Sequence, residues 1–158
     1  MMNILKKCED IFVGSAILAA TIVLFVNIIL RYFFSANTSW AEEFIRYAMI
    51  WIAFIGSSIC FRRGIHVGID LLMNYFSGKG RTALQIYINL VSLVFMFFLI
   101  KYGYDLVMFS VSTGQITPSL EIQTFWIYLA IPLGALLSVI HIVHQTYLLL
   151  RNPKLSEE

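Results

Sequence analysis

Four long apolar segments limit the folds open to this chain more than any other feature of its sequence. The first, Ile11 to Leu30, contains no charged residue. As a helix with a rise of about 1.5 Å per residue, it is long enough to cross about 30 Å of hydrocarbon. Hydrophobic residues make up 59% of the chain and charged residues 13%, which favours lipid as the surrounding solvent. Because lipid offers no partners to backbone polar groups, these segments are predicted to be helices.

The predicted fold is therefore an all-α membrane protein, a single domain over residues 1–158. It has four transmembrane helices and a short amphipathic surface helix between spans two and three. The spans are predicted at about 11–33, 41–61, 82–108 and 120–149.

Two local patterns refine this layout. At about 65–76, apolar residues recur at helical spacing, while His66, Asp70 and Asn74 fall on the opposite side, which predicts the amphipathic helix. Thr117 and Pro118 are predicted to be the N-cap and first residue of the fourth span.

The distribution of basic residues predicts the orientation. Eight of the eleven Lys and Arg residues lie at the termini or between spans two and three, whereas residues 110–121 contain none. Because basic residues accumulate in cytoplasmic loops, both termini are expected in the cytoplasm. Cys8 and Cys60 then face the reducing side, where we expect them unpaired.

The formal net charge of +2, without a basic stripe, argues against nucleic-acid binding.

Charged residues at the start of span two need a further explanation. Glu42 precedes Arg46 by four residues, which favours an ion pair, and Glu43 lies beside them. Two interpretations are open: a structural network with Arg31 or with another subunit, or an ion site. Arg31, one turn after Asn27, could instead extend to the lipid headgroups.

Two further polar groups have ordinary as well as functional interpretations. Arg62, Arg63, His66 and Asp70 form a basic cluster where lipid phosphate or acidic ends of a partner's helices could bind, or which could serve only as a topology signal. Lys101 and Asp105 are spaced for a local ion pair.

Histidines in span four give little support for a metal. His141 and His144 are three residues apart, with no carboxylate or cysteine near them in sequence. The sequence therefore gives little support for a metal or haem site, and no cofactor is expected.

With these residues laid out, the sequence resembles the small membrane subunit of the TRAP (tripartite ATP-independent periplasmic) transporters. The resemblance rests on N-x-x-x-R, W-x-E-E, R-R-G-x-H-x-x-x-D and T-P-x-L patterns. The residues that carry it are Asn27, Arg31, Trp40, Glu42, Glu43, Arg46, Trp51, Gly56, Arg62, Arg63, His66, Asp70, Thr117, Pro118, Leu120, Trp126, Pro132 and Gly134.

The resemblance implies a non-catalytic subunit in a bacterial inner membrane. It would form a stable heterodimer with a large membrane subunit that carries substrate and sodium by an elevator motion, and would brace that subunit. A periplasmic substrate-binding protein would bind transiently, and phospholipids would contact the basic cluster. The substrates of the family are typically organic acids, among them sialic acids and four-carbon dicarboxylates. The partner interface or a structural network would be formed by the first eight of these motif residues: Asn27, Arg31, Trp40, Glu42, Glu43, Arg46, Trp51 and Gly56.

Two other classes of four-span protein are less compatible with the sequence. A stand-alone small exporter would need a coupling glutamate in span one, and Ile11 to Leu30 has no acid. A quinone-linked disulfide oxidoreductase would need paired cysteines on the outer side, and this chain has only Cys8 and Cys60.

Overall fold

The computed structural model describes residues 2–34, 38–63 and 79–151, and these ranges are helical apart from Thr38, Leu129 and the segment between the third and fourth helices. The helices are α1 (Met2–Phe34), α2 (Ser39–Arg63), α3 (Lys79–Thr113), α4 (Phe125–Tyr128) and α5 (Ala130–Arg151).

Four stretches of these helices are long and apolar enough to cross a membrane. They are Leu5–Phe34, Ser39–Arg62, Ala83–Thr113 and Phe125–Leu149, the last combining α4 and α5. The predicted all-α fold with four spans is confirmed, and the chain is a multi-pass membrane protein. The amphipathic helix predicted at about 65–76 lies outside the described residues.

The long helices pack as neighbours in the order α1, α2, α5, α3. Helix α2 contacts α1 on one side and α5 on the other, and α5 also contacts α3. A small apolar core of Met96, Ala135 and Ile142 joins α3 to α5. We refer below to the end where α1 begins and α2 ends as the basic end, and to the opposite end as the hairpin end.

Glycines allow two of these contacts to be close. A Cβ atom added to Gly134 of α5 would lie 2.5 Å from the carbonyl oxygen of Phe54 in α2. One added to Gly103 of α3 would lie 2.9 Å from Cγ2 of Ile131 and 3.1 Å from Cδ of Pro132. Backbone approach of this kind maximises van der Waals contact, the main source of helix association in lipid.

The fourth span begins later than predicted, because Thr117 does not cap a helix. Its N–H donates to the carbonyl of Ile122 (2.9 Å), and its hydroxyl accepts the N–H of Ile122 (3.1 Å). These bonds close a hairpin loop after Gly114, whose φ of +61° ends α3. Helix therefore resumes only at Phe125.

A break at Leu129 separates α4 from α5. Pro132 has no N–H to donate to the carbonyl four residues earlier, which accounts for an interruption at this point. Leu129 still donates to Phe125 (2.9 Å) and Leu133 to Leu129 (3.2 Å), so the chain continues in one direction through the span.

Candidate functional site

Glu43 anchors the hairpin loop to α2. Its side chain lies in a buried position, and one carboxylate oxygen accepts the backbone N–H groups of Ser119 (2.8 Å) and Leu120 (3.0 Å). The other oxygen accepts the hydroxyl of Tyr47, one turn along α2. Because hydrogen bonds to a carboxylate are stronger than neutral ones, a single side chain fixes this loop on the helix.

Asn27 is also used inside the chain. It is buried in α1, and its Oδ1 accepts the hydroxyl of Thr38, just before α2, at 2.6 Å. Asn27 therefore connects the two sides of the first loop at the hairpin end.

Arg31 and Glu42 form a weaker contact beside it. Their charged groups are 4.0 Å apart, and both side chains are exposed. With Asn27, they line an open groove between α1 and α2. Ion pairs this exposed contribute little to stability, so the groove is a surface feature rather than part of the core.

Arg46 is exposed on α2, one helical turn after Glu42. Among the residues that the structure describes, no carboxylate comes within 4.0 Å of it, so the predicted ion pair with Glu42 is not formed. Glu42 instead lies near Arg31 of the adjacent helix, and an ion pair between side chains this exposed would gain too little to hold Glu42 against Arg46. The predicted local pair of Lys101 and Asp105 is likewise absent from the described ion pairs.

The remaining predicted interface residues of α2 have different surroundings. Trp51 packs against Phe12 of α1, with ring centroids 5.9 Å apart, whereas Trp40 is exposed. A Cβ added to Gly56 would meet no atom within 4 Å. Gly56 is thus open on its outer side, unlike Gly134.

A second buried polar network lies at the basic end. Glu9, which is only 4% exposed, accepts hydrogen bonds from Nε2 of His141 (2.9 and 3.1 Å) and from Arg62 (3.1 Å). Arg62 also donates to the carbonyl of Lys6 (3.0 Å) and to the carboxylate of Asp10. This network connects α1, α2 and α5.

Sequence reasoning placed Arg62 in a surface cluster and did not include Glu9 or Asp10. An available signal was the acidic pair just before the first apolar run and the basic pair at the end of the second. In antiparallel neighbours, these pairs lie at the same end and can meet. His66 and Asp70, and the side chain of Arg63, lie outside the described part of the chain.

Within residues 2–34, 38–63 and 79–151, no three His, Cys, Asp or Glu side chains are grouped as a metal site would require. Asn89 of α3 donates a hydrogen bond to the hydroxyl of Thr146 in α5 at 2.9 Å, so it links these two helices.

The fold and these networks define a class of protein: a multi-pass helical membrane protein in which the buried side chains of Glu9, Asn27, Glu43 and Asn89 hydrogen-bond within the chain. The family described as the DctQ component of tripartite ATP-independent periplasmic transporters matches residues 20–152. The chain belongs to this family of small TRAP transporter subunits.

Relatives of several transport systems agree with this assignment. The chain is 30% identical over 136 residues to the ectoine TRAP transporter small permease TeaB of Halomonas elongata, covering 86% of this chain and 70% of that one. It is 26% identical to the C4-dicarboxylate small permease DctQ of Rhodobacter capsulatus, covering 85% and 73%. It is also 26% identical to the sialic acid TRAP transporter permease SiaT of Haemophilus influenzae, covering 90% of this chain but 23% of SiaT.

Coverage is lower for a further relative. The chain spans 63% of the length of another small permease from Haemophilus influenzae, with 29% identity over 101 residues.

Proposed function

We propose that this chain is a non-transporting scaffold that braces the large membrane subunit of a sodium-driven importer of an organic acid. In this arrangement the large subunit binds substrate and sodium, and a periplasmic binding protein delivers the substrate. The relatives named for C4-dicarboxylates and sialic acid support an acidic substrate, and the ectoine relative widens the range to zwitterions.

The observation that carries this proposal is the use of polar groups within the spans. Glu9, Glu43, Asn27 and Asn89 are buried, and each bonds to another part of the same chain. A carrier of polar solutes usually presents such groups to a midplane cavity formed by broken helices. Here they connect helices and a loop to one another, which supports a bracing role.

The match to SiaT supports a partnership with a larger membrane protein. A segment similar to this chain makes up 23% of that permease polypeptide. We infer that a separate chain of this kind works beside a larger membrane subunit that corresponds to the rest of the SiaT polypeptide.

We also propose that the termini face the cytoplasm of the inner membrane, with the basic end inward, following the positive-inside rule. Phospholipid binding at the basic end stays a prediction. In the structure, the guanidinium of Arg62 already donates to Glu9 and Asp10, so a headgroup would have to share it.

Reconstitution tests the scaffold role. Sodium-driven uptake of labelled organic acids is measured in liposomes that hold this chain alone, the large subunit from the same genome alone, or both, each with the binding protein. We expect uptake only with both membrane subunits, and none when potassium replaces the sodium gradient. Uptake by this chain alone, or undiminished uptake without it, would contradict the proposal.

A further inference from the structure

Helix α2 has one face that the described chain leaves uncovered. Between Glu42 and Arg62, every exposed residue falls on one stripe along the helix, at alternating spacings of four and three residues. Gly56, whose outer side is open, occupies the remaining position of the same repeat. We call this face the α2 stripe; its residues are Glu42, Arg46, Met49, Ala53, Gly56 and Cys60.

The other sides of α2 are already packed. Phe54 contacts Gly134 of α5, and Trp51 contacts Phe12 of α1. Ile55 and Ser58, on the side away from the stripe, are buried. The stripe is therefore the side of α2 from which another helix can approach.

Charge argues that protein rather than lipid covers the stripe. Arg46 lies seven residues after the start of α2, about 10 Å along the helix axis. Its guanidinium is exposed there without a carboxylate within 4.0 Å among the described residues. A charge within a spanning helix is expensive unless it is paired, hydrated or able to reach the headgroups.

Shape argues for a helix as the occupant. Below Arg46 the stripe consists of Met49, Ala53, Gly56 and Cys60, and the small side chains let another backbone come close. A repeat that averages 3.5 residues keeps one seam in contact with a neighbour crossing at about 20° in a left-handed sense.

We propose that the α2 stripe seats a transmembrane helix of the large membrane subunit, with an acidic side chain at the depth of Arg46. The inference rests on the proposed function, which supplies the partner. A second copy of this chain fits less well, because a two-fold axis along the membrane normal would place both Arg46 guanidinium groups at the same depth.

Two glycines provide a matched steric test. Gly56 and Gly14 both lie within helices, and an added Cβ meets no atom within 4 Å at either. Tagged variants are co-expressed with the large subunit, and the co-purified large subunit is quantified. We expect Gly56→Leu to lower it at least about fivefold, since the side chain fills the seam, and Gly14→Leu to leave it within about twofold of the unmodified chain.

A charge test uses Arg46 and Lys101, which are both exposed cations on spanning helices. Arg46→Gln is expected to lower recovery of the large subunit, and Arg46→Lys to retain more of it. Lys101→Gln on α3 is the control and should have little effect.

Photocrosslinking gives a readout that does not depend on tolerating a bulky substitution. A photoreactive phenylalanine analogue at Met49, which is 63% exposed, should crosslink to the large subunit. The same analogue at Phe98 of α3, 53% exposed, should not.

The outcomes separate this inference from the function on which it rests. If the unmodified chain recovers the large subunit and Gly56→Leu and Arg46→Gln recover it equally well, the stripe is not the interface although the partnership stands. Crosslinks from Met49 only to lipid or to a second copy of the chain would also overturn the proposal. If the unmodified chain recovers no large subunit, the proposed function itself fails.

Discussion

Glu42 and Glu43 are adjacent in sequence but have opposite surroundings. Glu42 is exposed and lies 4.0 Å from Arg31, whereas Glu43 is buried and accepts two backbone N–H groups and a hydroxyl. On a helix, neighbouring residues point about 100° apart, so one can face outward while the next faces the hairpin loop. Their roles are therefore distinct.

This difference predicts unequal effects of the same substitution. Glu43→Gln removes the charge that strengthens the bonds to Ser119 and Leu120, so the loop should open more often. We expect amide hydrogen exchange in the peptide covering 115–124 to accelerate at least about tenfold in lipid nanodiscs. Glu42→Gln is the matched control, and equal acceleration in both variants would show that Glu43 does not anchor the loop.

The sequence was enough to mark these acids as unusual but not to separate them. The charges at the membrane edge suggested that Glu42, Glu43 and Arg46 form one network, because helical spacing alone describes α2. The partner of Glu43 lies 76 residues later in the chain, in a loop that the sequence suggested was a helix start. Contacts of that range depend on how helices pack, which periodicity does not encode.

At the scale of helices, two glycines that both lie inside spanning helices have different packing. Gly134 lies against the backbone of Phe54, while Gly14 is open. An added methyl group at Gly134 would have to displace the backbone of α2, which cannot turn aside like a flexible side chain. The α2–α5 contact therefore depends on the absence of a side chain at this position.

Alanine substitutions test that dependence. Gly134→Ala should lower the apparent melting temperature of the detergent-solubilised protein by about 5 °C or more, through the forced separation of α2 and α5. Gly14→Ala should leave it unchanged or raise it slightly, because alanine favours helix. Fluorescence-detected size exclusion after heating measures both. A Gly134→Ala protein as stable as the unmodified chain would refute the close contact.

The approximate positions of the spans could be predicted from sequence, because a helix that crosses the hydrocarbon core needs a long apolar run. The start of the fourth span was not, because Thr117 and Pro118 satisfy the rules for a helix N-terminus. In the structure, Thr117 instead bonds across the loop to Ile122. The local sequence rule for a helix start fails here because Glu43, which belongs to another helix, holds these residues in a loop.

For the whole molecule, the exposed thiols at the basic end offer a test of orientation. Cys8 and Cys60 are the two cysteines of the chain, and both are exposed. With Cys60→Ser, Cys8 alone should react with a membrane-impermeant maleimide in inverted vesicles and not in right-side-out ones.

A cysteine at the opposite end completes this experiment. Gln115 is exposed in the hairpin loop, so Gln115→Cys in a chain lacking both native cysteines should show the reverse accessibility. Labelling of Cys8 from the outside would invert the proposed topology.

The guanidinium of Arg46, which has no carboxylate within 4.0 Å in the described part of the chain, also bears on how the chain persists in a cell. Left facing hydrocarbon, such a group costs a few kcal/mol, a sizeable fraction of the free energy that holds a typical domain folded. On the proposed assembly, a subunit synthesised without its companion carries that penalty for as long as it remains alone. Membrane proteases that sample loosened helices would then remove surplus copies, and the supply of the companion would set how many survive.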